Sequence, residues 1–277
     1  MKRLNSGFEM PAVGLGTYGL GGDEERDDSK DKECMQSVKD ALNLGYTHID
    51  TAEVYGRGHA EELIGVAIKN YNRKKLFITS KVFKTHLEYE DVIKSAKESL
   101  KRMGIDYLDL YLVHSFNPEV PIKETMSAMN ELVEKGLIRN VGVCNFSVEQ
   151  LKEAQKYSKI KIVANQMKYN LWASSSPDLR TFEYCQKNDI MVIAYKLFGR
   201  GKIEKNKIPL LGALAKKYGK SEGQIMVNGV ISKKNFVAIF ASKKKEHLKE
   251  GIDALKFKIS DEDIKELDRV LLKVKFK

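Results

Sequence analysis

Apolar and polar residues follow two alternating patterns along the chain. Short apolar runs rich in β-branched residues predict strands at 12–16, 47–52, 76–82, 108–114, 138–145, 162–167, 191–195 and 236–241. Longer segments between these runs have helical periodicity. Segment 91–103, for example, places apolar residues at positions 92, 93, 96, 100 and 103. Ahead of the first strand, residues 2–10 predict a β-hairpin with its turn at Asn-Ser-Gly.

Eight strand–helix units in a chain of 277 residues predict a closed parallel barrel. The fold class that we expect is α/β, a (β/α)8 TIM barrel with an N-terminal β-hairpin and an extra C-terminal helix. No low-complexity linker and no shift in composition divides the chain. We therefore expect one barrel domain over residues 1–277.

The composition is 42% hydrophobic and 31% charged, which is typical of a globular protein with a sizeable core. No stretch approaches the roughly 18 consecutive apolar residues of a membrane span, and the N-terminus lacks the apolar segment of a secretory signal. We therefore expect a cytoplasmic protein that does not bind membranes. Cys34, Cys144 and Cys185 lie far apart, which predicts reduced thiols and no metal site.

The formal net charge is +10, which raises the question of a nucleic-acid partner. The lysines, however, are spread over the whole chain and interleaved with Glu and Asp, instead of gathering with aromatic residues along one stripe. We therefore expect no nucleic-acid partner. For the oligomeric state, a monomer is slightly favoured.

Four polar residues lie at or just after the ends of three consecutive predicted strands: Asp50, Tyr55, Lys81 and His114. Each alone has an ordinary structural explanation, such as a turn acid, a loop aromatic or a core histidine. In a barrel of this kind, functional residues gather at the carboxyl ends of the strands. We therefore expect the four side chains to point at one catalytic site.

The chemistry of these four residues suits the reduction of a carbonyl group. A phenol with a pKa of about 10 donates protons poorly near neutral pH unless a cation stabilises the phenolate. Lys81 can supply that cation, and Asp50 can keep it charged. His114 can orient a carbonyl oxygen towards Tyr55, which protonates the forming oxyanion. Because side chains cannot donate hydride, a nicotinamide cofactor is implied.

Seven motifs occur in the order and spacing of a known family: GLGT at 14–17, GYTHIDTAEVYG at 45–56, ITSKV at 78–82, DYLDLYLVH at 106–114, IRNVGVCNFS at 138–147, ANQMKYN at 164–170 and VIAY at 192–195. By these motifs the chain resembles the aldo-keto reductases over nearly its whole length. The resemblance implies a catalytic tetrad of Asp50, Tyr55, Lys81 and His114, with Tyr55 as the general acid. It also implies that reduced nicotinamide cofactor binds first, in an extended pose, and transfers hydride to an aldehyde or ketone.

The resemblance further assigns the cofactor contacts. Asn145 and Gln166 match the pair that binds the nicotinamide carboxamide, and Tyr195 matches the ring that stacks on nicotinamide. The other expected cofactor-binding positions are Thr17, Tyr18, Asp50, Leu197, Gly199, Ser242, Lys243, His247 and Glu250, together with Lys196, which stands where the family usually has serine and could contact the pyrophosphate directly. Each could instead be an ordinary packing or surface residue. The lysines at 243–245 precede a predicted helix and suit a 2′-phosphate, which favours NADP over NAD.

Several positions depart from the family pattern. Cys144 replaces the usual serine, which leaves a weaker hydrogen bond to the carboxamide. At the adenosine end, Phe240 stands in place of a proline, His247 in place of an arginine, and Gly251 in place of an asparagine. Asn228–Gly229 replaces an Arg-Trp pair, a change that we interpret as one of packing.

Two other functions remain open at this point. The barrel could be a nicotinamide-binding sensory or regulatory protein with little turnover, or Lys81 could act as a Schiff-base nucleophile. For the substrate, the chain lacks the long C-terminal tail of animal reductases, so we expect an open site. The aromatic residues near Tyr55 that could form its apolar wall are Tyr18, Phe83, Phe116 and Trp172.

Overall fold

A short hairpin closes one end of the molecule. The computed structural model describes residues 1–169, 179–198 and 208–273. Strands β1 (Lys2–Arg3) and β2 (Glu9–Met10) pair antiparallel, with Lys2 opposite Met10. The apolar hairpin residues pack against side chains from inside the barrel; they are Leu4, Phe8 and Met10. The hairpin therefore covers the amino-terminal end of the barrel and leaves function to the other end.

The centre of the fold is a closed barrel of eight parallel strands. In chain order these are β3 (Val13–Gly16), β4 (His48–Asp50), β5 (Phe77–Val82), β6 (Leu110–Val113), β7 (Val141–Cys144), β8 (Ile162–Lys168), β9 (Met191–Tyr195) and β10 (Phe236–Phe240). Each strand pairs with its successor in the chain, and β10 pairs with β3 to close the ring. The strands are buried along most of their length, as expected for a parallel sheet covered on both faces.

Helices surround the barrel. They are α1 (Asp31–Asn43), α2 (His59–Ile68), α3 (Tyr89–Met103), α4 (Ile122–Glu134), α5 (Val148–Tyr157), α6 (Leu179–Lys187), α7 (Pro209–Tyr218), α8 (Glu222–Ile231), α9 (Lys245–Asp253) and α10 (Asp261–Lys273). Helix α3 buries the apolar stripe that its sequence predicts, and it ends at Gly104, whose φ of +64° suits glycine. Helices α5 and α8 each begin with a capping box, formed by Ser147 and Ser221 with the glutamine three residues later.

The structure confirms the predicted eight-stranded barrel, its N-terminal hairpin and the extra helix at its C-terminus. The starts of two strands differ most from the prediction. The strands predicted at 108–114 and 138–145 both begin later in the structure. Leu108 and Ile138 form an isolated bridge, and the strands proper start at Leu110 and Val141. Asp109 lies between Leu108 and Leu110. Its carboxylate accepts hydrogen bonds from Arg73 and Ile78, so this polar side chain replaces regular strand pairing.

Asn228 and Gly229 on α8 connect this helix to the C-terminal segment. Asn228 Nδ2 donates to the carbonyl oxygens of Ala254 and Phe257, both at 2.8 Å. A Cβ atom on Gly229 would lie 2.7 Å from Leu267 Cδ2 of α10. This departure from the family pattern is therefore one of packing: a small residue admits α10, and an amide satisfies the backbone between α9 and α10.

In the described part of the chain, no helix combines the length and the apolar character needed to cross a membrane. Its apolar residues instead form the two layers of a barrel fold. One cluster lies between the barrel and the helices, and a smaller one fills the barrel interior above the hairpin.

Candidate active site

The four predicted catalytic residues meet at the carboxyl end of the barrel. Asp50 is the last residue of β4, and Tyr55 begins a short 3-10 turn, Tyr55–Gly58, in the following loop. Lys81 lies near the end of β5, and His114 directly follows β6. The Lys81 ammonium lies 5.2 Å from the centre of the Tyr55 ring, and the centres of the Tyr55 and His114 rings are 5.9 Å apart.

Lys81 and Asp50 form a buried ion pair. Lys81 Nζ lies 2.6 Å from Asp50 Oδ1 and donates to the carbonyl oxygen of Thr51 at 2.6 Å. Gln166 Nε2 donates to the other carboxylate oxygen, Oδ2, at 2.7 Å. Burial is the largest single influence and disfavours the charged amine, but the charge of Asp50, its hydrogen bond and the nearby Tyr55 together raise the pKa of Lys81 above its ordinary value. The ammonium ion is therefore maintained inside the barrel.

Tyr55 keeps its proton over a wide pH range. Burial of the phenol raises the pKa of Tyr55 to about 12, and the nearby charge of Lys81 opposes this increase. Lys81 thus has the effect expected from the sequence, but desolvation is larger. The phenol is consequently a proton donor that is fully protonated near neutral pH.

His114 is a neutral imidazole in this environment. Burial, together with the positive charge of Lys81, lowers the pKa of His114 to about 3. Its Nδ1 atom is buried and has no hydrogen-bond partner among the residues that the structure describes. The ring contacts Tyr55 on one side and Phe83 on the other, each with an edge-to-face geometry.

Glycines shape the turn that carries Tyr55. Gly56 and Gly58 both have positive φ, at 54° and 89°. A Cβ atom on Gly56 would lie 2.2 Å from the carbonyl oxygen of Gly21, and one on Gly58 would lie 2.7 Å from Arg102 Cδ. The turn is therefore packed closely between the loop after β3 and helix α3, which fixes the position of Tyr55.

A cavity of about 680 Å³ opens above the four residues. Asp50, Tyr55 and His114 line it. Lys81 lies beneath the cavity and donates a hydrogen bond to Asp50. The predicted cofactor-binding residues on its wall are Thr17, Tyr18, Asp50, Gln166, Tyr195, Lys196 and Leu197. Thr17 is fully buried, and its hydroxyl donates to the carbonyl oxygen of Asp50 at 3.0 Å.

Asn145 is exposed and follows β7, and the described lining of the cavity does not include it. Its Nδ2 atom donates to Cys144 Sγ at 3.2 Å, and its Oδ1 atom accepts from the Tyr195 hydroxyl at 3.2 Å. The Asn145 backbone has a φ of +57°, a left-handed conformation that asparagine tolerates. The preceding residue, Cys144, is 2% exposed and lines the cavity. Burial raises the pKa of the Cys144 thiol to about 12, so the sulfur is uncharged.

The residues predicted to hold the adenosine end lie beyond the cavity, whose wall ends at Ala241 among the described residues. Ser242 Oγ accepts from the Lys244 amide at 3.1 Å and lies 3.4 Å from His247 Nδ1. Lys243 precedes α9, and Glu250 lies within it. Gly199 and Trp172 lie outside the described residues.

Two departures from the family pattern at this end account for each other. A Cβ atom on Gly251 would lie 1.9 Å from Phe240 Cζ and 2.4 Å from the Tyr46 hydroxyl oxygen. The Phe240 ring packs edge-to-face on Tyr46, with ring centres 6.3 Å apart. The phenylalanine therefore fills the space that an asparagine side chain at position 251 would need.

The sequence identified Thr17 and Tyr18 after β3 but not the acidic residues further along the same loop. Asp23, Glu24 and Glu25 of this loop line the cavity, and so does Arg57, which follows Tyr55. The acidic run that begins at Asp23, in the loop after the first barrel strand, was the available signal. Of the four aromatic residues expected in the substrate wall, Tyr18 and Phe83 line the cavity. Phe116 instead packs against Phe146, with ring centres 5.8 Å apart.

Comparison with known proteins identifies the class. The model of the aldo/keto reductase family matches residues 12–272, nearly the whole chain. The chain therefore belongs to the aldo/keto reductase family and is an oxidoreductase enzyme, as its motifs predicted.

Individual relatives agree with this assignment. Glyoxal reductase of Bacillus subtilis is 34% identical over 268 residues, which cover 96% of this chain and 91% of that protein. The crystal structure of the thermostable aldo-keto reductase Tm1743, in complex with the inhibitor epalrestat, superposes with a TM-score of 0.92. It is 46% identical and covers 97% of this chain and 98% of its own. An aldo-keto reductase from Klebsiella pneumoniae, in complex with NADPH, has a TM-score of 0.85 and 29% identity, covering 99% of this chain and 96% of its own.

Proposed function

We propose that this protein uses NADPH to reduce aldehydes or ketones to alcohols, with Tyr55 as the general acid. The observation that carries the proposal is the arrangement of a protonated phenol above a buried lysine–carboxylate pair, at the wall of a cavity of about 680 Å³. Family membership supports the reaction class.

Each of the four residues has a distinct task in the proposed mechanism. Tyr55 gives its proton to the carbonyl oxygen as negative charge develops there. The ammonium group of Lys81, held charged by Asp50, stabilises the tyrosinate that remains. His114, neutral because its pKa is lowered to about 3, directs an imidazole N–H towards the carbonyl oxygen and orients the substrate.

The cavity suits a nicotinamide dinucleotide. It presents an aromatic ring at Tyr195, a side-chain amide at Gln166 and a cation at Lys196, which match the ring, carboxamide and diphosphate of such a cofactor. Because Gln166 Nε2 donates to Asp50, its Oε1 atom is left to accept from a carboxamide. When bound, the cofactor supplies the hydride that the carbonyl carbon receives.

The choice of NADP over NAD rests on the segment that begins α9. Lys243, Ser242 and His247 lie together there and offer a cation, a hydroxyl and an imidazole to a 2′-phosphate. The Klebsiella pneumoniae aldo-keto reductase is in complex with NADPH, which agrees with this choice. We assign Asn145 the role of positioning Tyr195, to which it is hydrogen-bonded.

The structural surroundings of Lys81 make the Schiff-base alternative unattractive. An amine must be neutral to attack a carbonyl carbon, whereas Lys81 is fully buried, paired with Asp50 and has a raised pKa. The sensory alternative differs from the proposal only in turnover, so a rate measurement separates the two.

The test is NADPH oxidation with a panel of aldehydes and ketones, comparing the wild type with Tyr55→Phe. We expect the variant to lose on the order of 10²- to 10⁴-fold in kcat, because only the hydroxyl is removed. The matched control is Tyr71→Phe, since the Tyr71 hydroxyl bonds to Asn43 away from the cavity. Equal activity of Tyr55→Phe and wild type would disprove the acid assignment, and wild-type protein that binds NADPH without turnover would favour the sensory function.

A further inference from the structure

The loop between β3 and α1 places acidic side chains on the wall of the cavity that holds Tyr55. Asp23, Glu24 and Glu25 line this wall near Tyr18. Over the whole chain, lysine and arginine outnumber aspartate and glutamate by 48 to 38. Three consecutive acidic residues beside the reacting groups therefore run against the overall charge, and they give the cavity mouth a field of its own.

Hydrogen bonds tie this loop to the residue that follows Tyr55. The Gly56 amide donates to the carbonyl oxygen of Asp23 at 2.9 Å, and the Asp27 amide donates to that of Gly21 at 2.9 Å. The edge of the Tyr18 ring also contacts Tyr55, with ring centres 5.3 Å apart. The position of the acidic side chains is thus coupled to the position of the proposed general acid.

Two of the carboxylates on the cavity wall are neutralised by partners. Glu25 Oε1 lies 2.5 Å from Arg57 Nη2, and Asp50 is paired with Lys81. Within the described residues, the carboxylates of Asp23 and Glu24 have no ion-pair partner. Both are exposed to whatever enters the cavity, and the described lining residues carry four carboxylates against two cations, Arg57 and Lys196.

We propose that Asp23 and Glu24 select substrates by charge, an inference that rests on the proposed carbonyl reduction. Neutral and cationic aldehydes and ketones are the preferred substrates, and those that carry a carboxylate or phosphate are disfavoured. The physical reason is Coulomb repulsion between an anionic substituent and two carboxylates on the wall of the same cavity, since a volume of about 680 Å³ corresponds to a width of roughly the screening length of about 8–10 Å.

Three aldehydes of nearly the same shape test the inference: 4-carboxybenzaldehyde, its methyl ester and 4-(trimethylammonio)benzaldehyde. Their substituents change the intrinsic reactivity of the carbonyl group equally in wild type and variant. The ratio of kcat/KM between the two proteins therefore reports the electrostatic effect of the two acidic residues. In Asp23→Asn/Glu24→Gln we expect kcat/KM for the carboxylate to rise on the order of tenfold relative to the ester, and that for the cation to fall. In the wild type, added salt should reduce the differences in kcat/KM between the three aldehydes.

The matched control is Glu153→Gln/Glu266→Gln, which removes the same net charge from exposed positions on α5 and α10. An equal change in this control, or an unchanged ratio in the cavity variant, would overturn the inference. NADPH affinity is measured in parallel by fluorescence titration. If only this affinity changes, the two acids act on the cofactor and the inference is wrong. If the wild type reduces no member of the wider panel of aldehydes and ketones, the proposed function itself fails, an outcome distinct from an unchanged ratio in the cavity variant.

Discussion

The Lys81–Asp50 pair offers a quantitative test because both side chains are almost completely shielded from water, at 0% and 3% exposure. Their charged atoms are 2.6 Å apart. At an effective dielectric constant of about 20, the Coulomb attraction at this separation is about 6 kcal/mol, most of which offsets the lost hydration of the two ions. Removal of one partner leaves the desolvation of the other uncompensated.

We expect Asp50→Asn to lower the free energy of unfolding by about 3–5 kcal/mol, because the ammonium retains only dipolar partners such as the Thr51 carbonyl. Lys81→Met leaves the carboxylate with Gln166 and should have a similar effect. The double variant contains neither charge, so its loss should be smaller than the sum of the two by roughly 2 kcal/mol or more.

Urea denaturation followed by circular dichroism measures the four unfolding free energies of this cycle. The control cycle uses Lys159 and Glu134, which are also 2.6 Å apart but are 68% and 59% exposed. Its coupling energy should be below about 1 kcal/mol. Additive losses at Lys81 and Asp50 would refute the argument from burial. A coupling energy no larger than that of the exposed pair would refute it as well.

Three further predictions concern the site. In a pH profile of kcat/KM, activity should fall as pH rises through the pKa of Tyr55, which lies at about 12. Because the pKa of His114 is about 3, its protonation should cause no loss of activity above about pH 5. A loss of activity near pH 8, or one near pH 6.5, would contradict these expectations. Cys144→Ser should lower the Kd for NADPH by a few-fold in a fluorescence titration, because a hydroxyl forms a stronger hydrogen bond than a thiol; a weaker affinity would contradict it. Gly251→Ala should lower the unfolding free energy by about 1–3 kcal/mol through the clash with Phe240, and less in a Phe240→Leu background; an equal loss in both backgrounds would exclude that clash.

The sequence was most informative where one local rule decides the outcome. Strand periodicity located the barrel, and the position of residues at strand ends was sufficient to bring Asp50, Lys81 and His114 together. The boundary errors came from Asp109, whose carboxylate replaces strand pairing through contacts with residues more than thirty positions away. No pattern along the chain predicts such contacts.

Other features depend on three-dimensional surroundings that a single sequence does not encode. The pKa of Tyr55 is an example, because burial raises it more than Lys81 lowers it, and the balance depends on packing. The position of Asp23 and Glu24 on the cavity wall is another, since it depends on the bond between the Gly56 amide and the Asp23 carbonyl oxygen, two residues that are far apart in the chain. Likewise, the sequence showed the glycine at 251 and the phenylalanine at 240 as separate departures, and only the structure shows that the Phe240 ring occupies the space beside Gly251.

Asn228 has a consequence for how the chain matures during synthesis. Its amide group bonds to Ala254 and Phe257, residues that leave the ribosome after α8 and α9. Until they emerge, this buried amide lacks its native partners, and α8 cannot adopt its final packed position beside β10. We therefore expect closure of the ring to be a late event in translation, completed by residues that take no part in the chemistry.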